Sequence, residues 1–261
     1  MLCSWCYSAG RCWPSGGRRS RARRHPLSGV SAPVRGAWRP TDGTRLRGGP
    51  ESTRQNGEVT ATTTFALVRH GQTDWNAAGR IQGATDVPLN DVGRGQATEA
   101  AAPLSRFEWD FVVASPLSRA AETADIIAAD LGLEVTRHLP GLVERNYGPA
   151  EGLSAGPKLD ALRVEGSYGN FRGAEPELSV SNRGLGALRL LAEDYPGARI
   201  IVVCHGTLIR LSLMAALERE IPPILNAAMS VVQFSPEAGW TASVINNELL
   251  EDDALDAVAA L

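Results

Sequence analysis

Three features of this sequence predict a three-layer α/β/α protein with a mostly parallel central sheet. Short apolar stretches alternate with longer stretches of helical spacing, the order of a parallel sheet covered on both faces. Two apolar stretches, Phe65-Ala66-Leu67-Val68 and Ile200-Ile201-Val202-Val203-Cys204, lack a polar face, as expected of strands buried on both sides. Both end in His-Gly, at Arg69-His70-Gly71 and His205-Gly206. An imidazole at that position stands on the carboxyl edge of a strand, where open α/β sheets bind ligands. The chain has four histidines in 261 residues, so matched placement of two is informative.

In chain order, Thr62–Val68 reads as a buried strand. Asn90-Asp91 caps a helix running to Leu104. Phe111–Ser115 is a second strand, and Pro116 opens a loop. Ser118 starts a helix through Thr123, Ile126, Ile127 and Leu131, with Gly132 as its stop. Leu133–Thr136 has the composition of a short strand. Residues 140–176 are rich in Gly and Pro, an excursion with a short helix around Leu159–Val164. Leu178–Tyr195 carries helical spacing at Leu185, Leu188, Leu191 and Ala192. Ala198–Cys204 is a strand and Thr207–Leu217 a helix. Met229–Phe234 and Trp240–Ile245 form a hairpin around Ser-Pro-Glu-Ala-Gly.

Charge separates the chain into an arm, a body and a tail. Residues 1–60 hold eleven Arg and three acidic residues, a net of +8, and the remainder carries −11, giving the overall −3. Residues 1–58 are expected to be a disordered basic arm, because they lack apolar periodicity and cannot bury enough surface to offset ordering entropy. Several readings of the arm compete: a transit peptide, a twin-arginine signal lacking its apolar region, a nucleic-acid-binding arm at Arg18–Arg24, or a zinc site from Cys3, Cys6, Cys12 and His25. The favoured expectation is that the native protein starts near Val59, since Met1 is the only Met before Met214 and valine codons serve as bacterial starts. The globular domain is expected over residues 59–250, followed by an acidic tail at 251–261. Only Cys204 lies in the body, so no disulfide framework can form there, which fits a reducing, cytoplasmic compartment. The body has no apolar run of about 18 residues. Neither a membrane nor a nucleic acid is expected as partner of the body.

Two imidazoles and an arginine at neighbouring strand ends suit a phosphoryl group, whose charged oxygens need fixed cations and donors. Arg69 can supply a bidentate fork beside His70. Arg119 follows Ser115-Pro116-Leu117-Ser118 and therefore opens a helix on the same edge, where the helix dipole also favours anions. His205 comes from a further strand end. Each residue alone has a plain structural reading; their matching contexts favour the chemical one.

Leu67-Val68-Arg69-His70-Gly71-Gln72-Thr73-Asp74-Trp75-Asn76 resembles the signature of the histidine phosphatase superfamily, which includes the cofactor-dependent phosphoglycerate mutases. Ile81-Gln82-Gly83-Ala84-Thr85-Asp86-Val87-Pro88-Leu89, Ala114-Ser115-Pro116-Leu117-Ser118-Arg119-Ala120-Ala121-Glu122-Thr123-Ala124, Leu142-Val143-Glu144-Arg145-Asn146-Tyr147-Gly148 with Glu151-Gly152, and Val203-Cys204-His205-Gly206 resemble later blocks of that family, in its order. Gly173-Ala174-Glu175 with Arg183 resembles a weaker motif, and Pro176 departs from its usual serine. The resemblance spans roughly residues 62–246.

It implies a phosphoglycerate mutase-like fold and a metal-independent phosphomonoester hydrolase that uses no cofactor. His70 would be the nucleophile that becomes phosphohistidine. Arg69, Arg119 and His205 would hold the phosphoryl oxygens, and Glu144 would be the general acid and base. Asn76, Gln82 and Gly206 would complete the substrate pocket. Tyr147 and Arg145 lie close enough in sequence to Glu144 to reach a substrate. Cys204 should face away from the site, Trp75 should pack, and His138 should be surface or core filler. The short stretch from Tyr147 to His205, and Gln82 followed by Gly83-Ala84, favour phosphatase over mutase. The alternatives are a phosphoglycerate mutase and a catalytically silent phospho-ligand binding module. The expected partner is a small phosphate ester, such as a sugar phosphate, a phosphoglycerate derivative or a cobamide nucleotide-loop phosphate.

Overall fold

The computed structural model describes residues 61–165 and 169–250, with the backbone of two short segments, Arg54–Gln55 and Glu58–Val59, which pair antiparallel. The rest of the arm and the tail at 251–261 lie outside the described residues, and with them the expectations placed there.

Seven strands form one sheet: β1 Thr63–Arg69, β2 Phe111–Ala114, β3 Val135–His138, β4 Arg199–Cys204, β5 Met229–Ser235, β6 Gly239–Ile245 and β7 Glu248–Leu249. Their spatial order is β3-β2-β4-β1-β5-β6-β7. The first four are mutually parallel, and β5, β6 and β7 continue the sheet as an antiparallel meander. The sheet is therefore mixed. Its parallel half carries the two His-Gly strands and its antiparallel half contains the hairpin read from sequence.

Helices α2 Asp91–Leu104 and α3 Ser118–Leu131 cover one face, and α5 Glu177–Asp194 and α6 Gly206–Leu217 cover the other. The division follows the alternation of β1 and β4. Ala66, Val68, Ile201 and Val203 pack with Ala100, Leu104, Ala120, Ala124 and Ile127; Phe65, Leu67, Ile200, Val202 and Cys204 pack with Val180, Leu188, Leu191 and Leu208. Small residues allow close approach at two points. A Cβ at Gly93 of α2 would lie 2.1 Å from the Gln72 carbonyl oxygen, and one at Gly184 of α5 would lie 2.2 Å from Ser212 Oγ of α6.

Most element bounds agree with the sequence reading to within a residue or two, and the exceptions have local causes. Gly132 is left-handed, at φ 68°, and the Leu133 N–H turns back to the Ala128 carbonyl at 2.8 Å. Leu133 thus closes α3, and the next strand begins at Val135 rather than Leu133. In the excursion the helix is α4, Pro157–Asp160, earlier than expected, because Pro157 takes the first helical position with its φ already set. A four-residue helix, α1 Asp74–Ala77, was not foreseen. Its signal is a capping box in which Thr73 Oγ1 accepts from the Asn76 N–H and Asn76 Oδ1 accepts from the Thr73 N–H, each at 3.2 Å. Among the described residues no helix is long and apolar enough to cross a membrane, and no group of three or more His, Cys, Asp or Glu is placed to hold a metal ion.

Candidate active site

Parallel pairing of β1 with β4 sets Arg69 opposite Cys204, so the two His-Gly ends emerge side by side. The His70 N–H donates to the Cys204 carbonyl at 3.0 Å, and the imidazoles of His70 and His205 lie edge to face with centroids 5.2 Å apart. Strand β2 flanks β4, and the Ser115 N–H donates to the Val203 carbonyl at 2.9 Å. This carries the chain into α3 with Arg119 on its first turn.

His70 is 3% exposed. Its Nδ1–H donates to the Gly71 carbonyl at 2.7 Å, which leaves the Nε2 lone pair facing the site. Arg119 Nε donates to that Nε2 at 3.2 Å. Burial, then the charges of Arg69 and Arg119, push the His70 pKa well below its usual value, so the imidazole is neutral and nucleophilic. His205 is fully buried and lowered for the same reasons: burial first, then Arg119, His70 and Arg69.

Arg119 is fully enclosed. Its Nη2 donates to the Gly83 carbonyl at 2.8 Å and its Nη1 to the Thr85 carbonyl at 3.0 Å. With its amide oxygen turned to Arg119, Gln82 accepts from Nε at 3.0 Å and Nη1 at 3.2 Å, while its nitrogen faces Thr73 Oγ1 at 2.6 Å. Burial lowers the Arg119 pKa to about 10 against the opposing fields of Glu144 and Asp86, so the group stays cationic at neutral pH.

The loop that holds Arg119 is itself clamped by Glu151. One Glu151 oxygen accepts from the N–H groups of Ala84 and Tyr147, each at 2.9 Å; the other accepts from the Thr85 N–H at 2.8 Å and the Thr85 hydroxyl. Desolvation pushes this carboxyl upward, but the hydrogen bonds from Thr85, Tyr147 and Ala84 outweigh it and the net shift is downward. Arg69 donates from Nη1 to the Ile224 carbonyl at 2.6 Å and lies over Gly206, where a Cβ would stand 3.1 Å from its Cδ. Gly206 is thus the residue that lets Arg69 cross the start of α6.

Glu144, 6% exposed, reaches the N-terminus of α6. Its Oε1 accepts from the backbone N–H of Arg145 at 2.8 Å and of Leu208 at 3.0 Å, and its Oε2 accepts from the Thr207 N–H at 3.0 Å. The segment carrying it is held by Arg183, which donates to the carbonyls of Gly141 and Val143 and pairs with Glu175 at 2.9 Å. The Glu175–Arg183 motif therefore braces the acid, and the absent serine hydroxyl at Pro176 does not prevent the pairing.

The structure brings Arg69, His70, Arg119, Glu144, His205, Gly206 and Gln82 to one strand edge. Asn76 stands beside them with its Oδ1 engaged by the Thr73 N–H and by Asn226 Nδ2 at 3.3 Å. Arg145 turns away. It donates to the Glu175 carbonyl, to Asn170 and to Glu177, and is 3% exposed, so it is a structural brace rather than a substrate contact. The Tyr147 hydroxyl meets Thr207 Oγ1 at 2.9 Å, beside the Glu144 carboxylate. Cys204 is buried on the opposite face with its thiol pushed up to about 12 by burial, Trp75 packs over Gly152, and His138 is exposed.

Three participants were missed. Asn226 donates from Nδ2 to the His70 carbonyl at 3.1 Å, Thr123 Oγ1 accepts from the Gly71 N–H at 3.1 Å, and Ser115 Oγ lies 2.8 Å from His205 Nε2. Thr123 and Ser115 fall inside motif blocks but have ordinary core readings. Asn226 lies in a loop with no pattern.

Comparison with known proteins agrees with this geometry. Residues 65–248 match the histidine phosphatase superfamily (branch 1). The chain is 35% identical over 179 residues to the uncharacterised phosphatase PhoE of Bacillus subtilis, covering 67% of this chain and 90% of that protein. It is also 35% identical over 182 residues to a metal-independent phosphoserine phosphatase of Arabidopsis thaliana, covering 65% and 76%. Among solved structures, a mycobacterial glucosyl-3-phosphoglycerate phosphatase superposes with a TM-score of 0.62 at 27% identity, covering 72% of this chain and all of that one. Matching site and matching sequence lead to one conclusion: this chain is a member of the histidine phosphatase superfamily.

Proposed function

We propose that the protein hydrolyses small phosphomonoesters through a phosphohistidine at His70, without a metal ion. The single observation that carries this reading is the state of His70. Its tautomer is set by the Gly71 carbonyl, its pKa is depressed by burial and two guanidinium groups, and its unprotonated Nε2 accepts from Arg119 Nε.

In the first step Nε2 attacks phosphorus and the ester P–O bond breaks. The leaving alkoxide takes a proton from the Glu144 carboxyl group. Oε2 accepts only one N–H among the described residues, which makes it the oxygen with room for that proton. Arg69, Arg119 and His205 hold the three phosphoryl oxygens as charge shifts onto them. In the second step a water gives its proton to Glu144 and its oxygen to phosphorus. The P–N bond breaks, releasing inorganic phosphate and restoring neutral His70.

The hydrolase reading is supported over the mutase reading by the excursion after Glu144. Arg145 within it and Arg183 just after it are committed to Glu177 and Glu175 rather than to a second phosphate. Phosphatases among the relatives support a small phosphorylated metabolite as substrate. Cys204, the one cysteine of the described body, is free and buried, which supports a reducing, cytoplasmic setting.

The test is phosphate release from a panel of phosphomonoesters with chelator present, comparing wild type with His70→Ala and trapping the intermediate by rapid quench. Hydrolysis that disappears in the variant, with label on His70 in the wild type, is expected. Full activity in His70→Ala would remove the nucleophile assignment. Turnover only with a bisphosphoglycerate primer would establish the mutase.

A further inference from the structure

We infer that Ser115 is a positioning residue that fixes the tautomer of His205, so that His205 presents Nδ1–H to the phosphoryl group. This inference rests on the reading of His205 as a holder of phosphoryl oxygens.

Ser115 and His205 are both completely buried and lie on adjacent strand ends, with Ser115 Oγ 2.8 Å from His205 Nε2. A hydroxyl has one proton to give and two lone pairs. The Leu117 N–H donates to Ser115 Oγ at 3.3 Å and so uses one of those pairs. Among the described residues the hydroxyl proton has one acceptor, His205 Nε2. A neutral imidazole that accepts at Nε2 must carry its proton on Nδ1.

The other tautomer fails at both ends. Nε2–H would donate to Ser115 and leave the hydroxyl proton without an acceptor, which is costly for a group as completely buried as Ser115. It would also turn an Nδ1 lone pair into a space walled by Arg69, Arg119 and His70, where phosphoryl oxygens would meet lone pair against lone pair. His205 Nδ1 is a buried atom with no hydrogen-bond partner among the described residues, and Arg69 Nε is another. A phosphoryl oxygen supplies the acceptor that both donors need. His205 is held neutral by burial and by the neighbouring cations, so which nitrogen bears its one proton decides whether it helps or opposes binding.

The experiment is long-range ¹H–¹⁵N NMR of the imidazoles in the full chain, with His205 assigned by His205→Asn, on wild type, Ser115→Ala and Ser115→Thr. Expected in the wild type is a neutral His205 with a protonated Nδ1 and an unprotonated Nε2. In Ser115→Ala the two nitrogens should move toward a tautomer mixture, and kcat for p-nitrophenyl phosphate should fall about 10- to 100-fold with circular dichroism unchanged. Ser115→Thr keeps the hydroxyl and should keep both the signature and the rate. An Nε2–H tautomer in the wild type overturns the inference, as does an unchanged tautomer in Ser115→Ala. The wild-type spectrum decides by itself if Ser115→Thr does not fold. The tautomer is read without turnover, so a wild type that hydrolyses no ester would count against the phosphatase reading and be recognised separately.

Discussion

At the scale of single residues, the site depends on which atoms are already engaged. Arg119 spends Nη1 and Nη2 on the carbonyls of Thr85 and Gly83 and still directs Nε at His70. A lysine cannot reproduce this, because a point ammonium has no planar fork to span two carbonyls and a third acceptor. Arg119→Lys is therefore expected to lower kcat/KM by roughly 10²- to 10³-fold while keeping the charge. Steady-state kinetics with circular dichroism checks this, and a loss below threefold would show that charge alone suffices. Arg145 has the opposite lesson. Its position next to Glu144 suggests a substrate contact, but its guanidinium is used up by Glu175, Asn170 and Glu177.

At the scale of elements, the strand end after β1 works because α2 comes unusually close to it. A Cβ at Gly71 would lie 2.2 Å from the Gly93 carbonyl oxygen, backbone against backbone, with no flexible side chain to yield. Gly71→Ala should cost about 2–4 kcal/mol in stability and displace the carbonyl that sets the His70 tautomer. Urea denaturation and phosphate release measure the two effects, and a native-like midpoint with full activity would contradict the packing argument. By contrast, Gly95 on the same helix has open space around its Cβ position, so Gly95→Ala serves as a control that keeps activity.

At the scale of the whole molecule, stability should follow the buried imidazoles. In the unfolded chain a histidine takes up a proton near pH 6.5, whereas native His70 and His205 resist protonation until well below that. The unfolded state therefore binds more protons as pH falls, and stability drops, with a limiting slope of about 1.4 kcal/mol per pH unit for each histidine. Glu151 and Glu175 have depressed values, so their contribution is present above the usual carboxylate range and is lost as pH falls through their folded values, in the same direction. Urea midpoints at pH 7.5, 6.0 and 5.0 should decline in order; a constant midpoint would show that the imidazoles are not held neutral.

The sheet and its four long helices were legible because burial on both faces and helical spacing are local patterns, as are the strand ends bearing His70, Arg119 and His205. Position along the chain hides other participants. Asn226 meets His70 across 156 residues, and Glu151 meets Thr85 across 66, with nothing in either local sequence to announce it. The four residues of α1 are too few for periodicity, and only the Thr73–Asn76 box marks them.

The side-by-side emergence of His70 and His205 has a consequence for how such a chain can diverge. Their separation is fixed by backbone pairing between two interior strands, down to the bond from the His70 N–H to the Cys204 carbonyl. The excursion between Glu144 and α5 takes no part in that pairing, and it is tied in by Glu151 on the Arg119 loop and by Glu175 on Arg183. Between those two ties the chain can be lengthened, shortened or rewritten while the spacing of the two imidazoles stays locked by the sheet. Change there is thus separable from the phosphoryl chemistry as long as Glu151 keeps its hold on the Arg119 loop and Glu175 its pairing with Arg183.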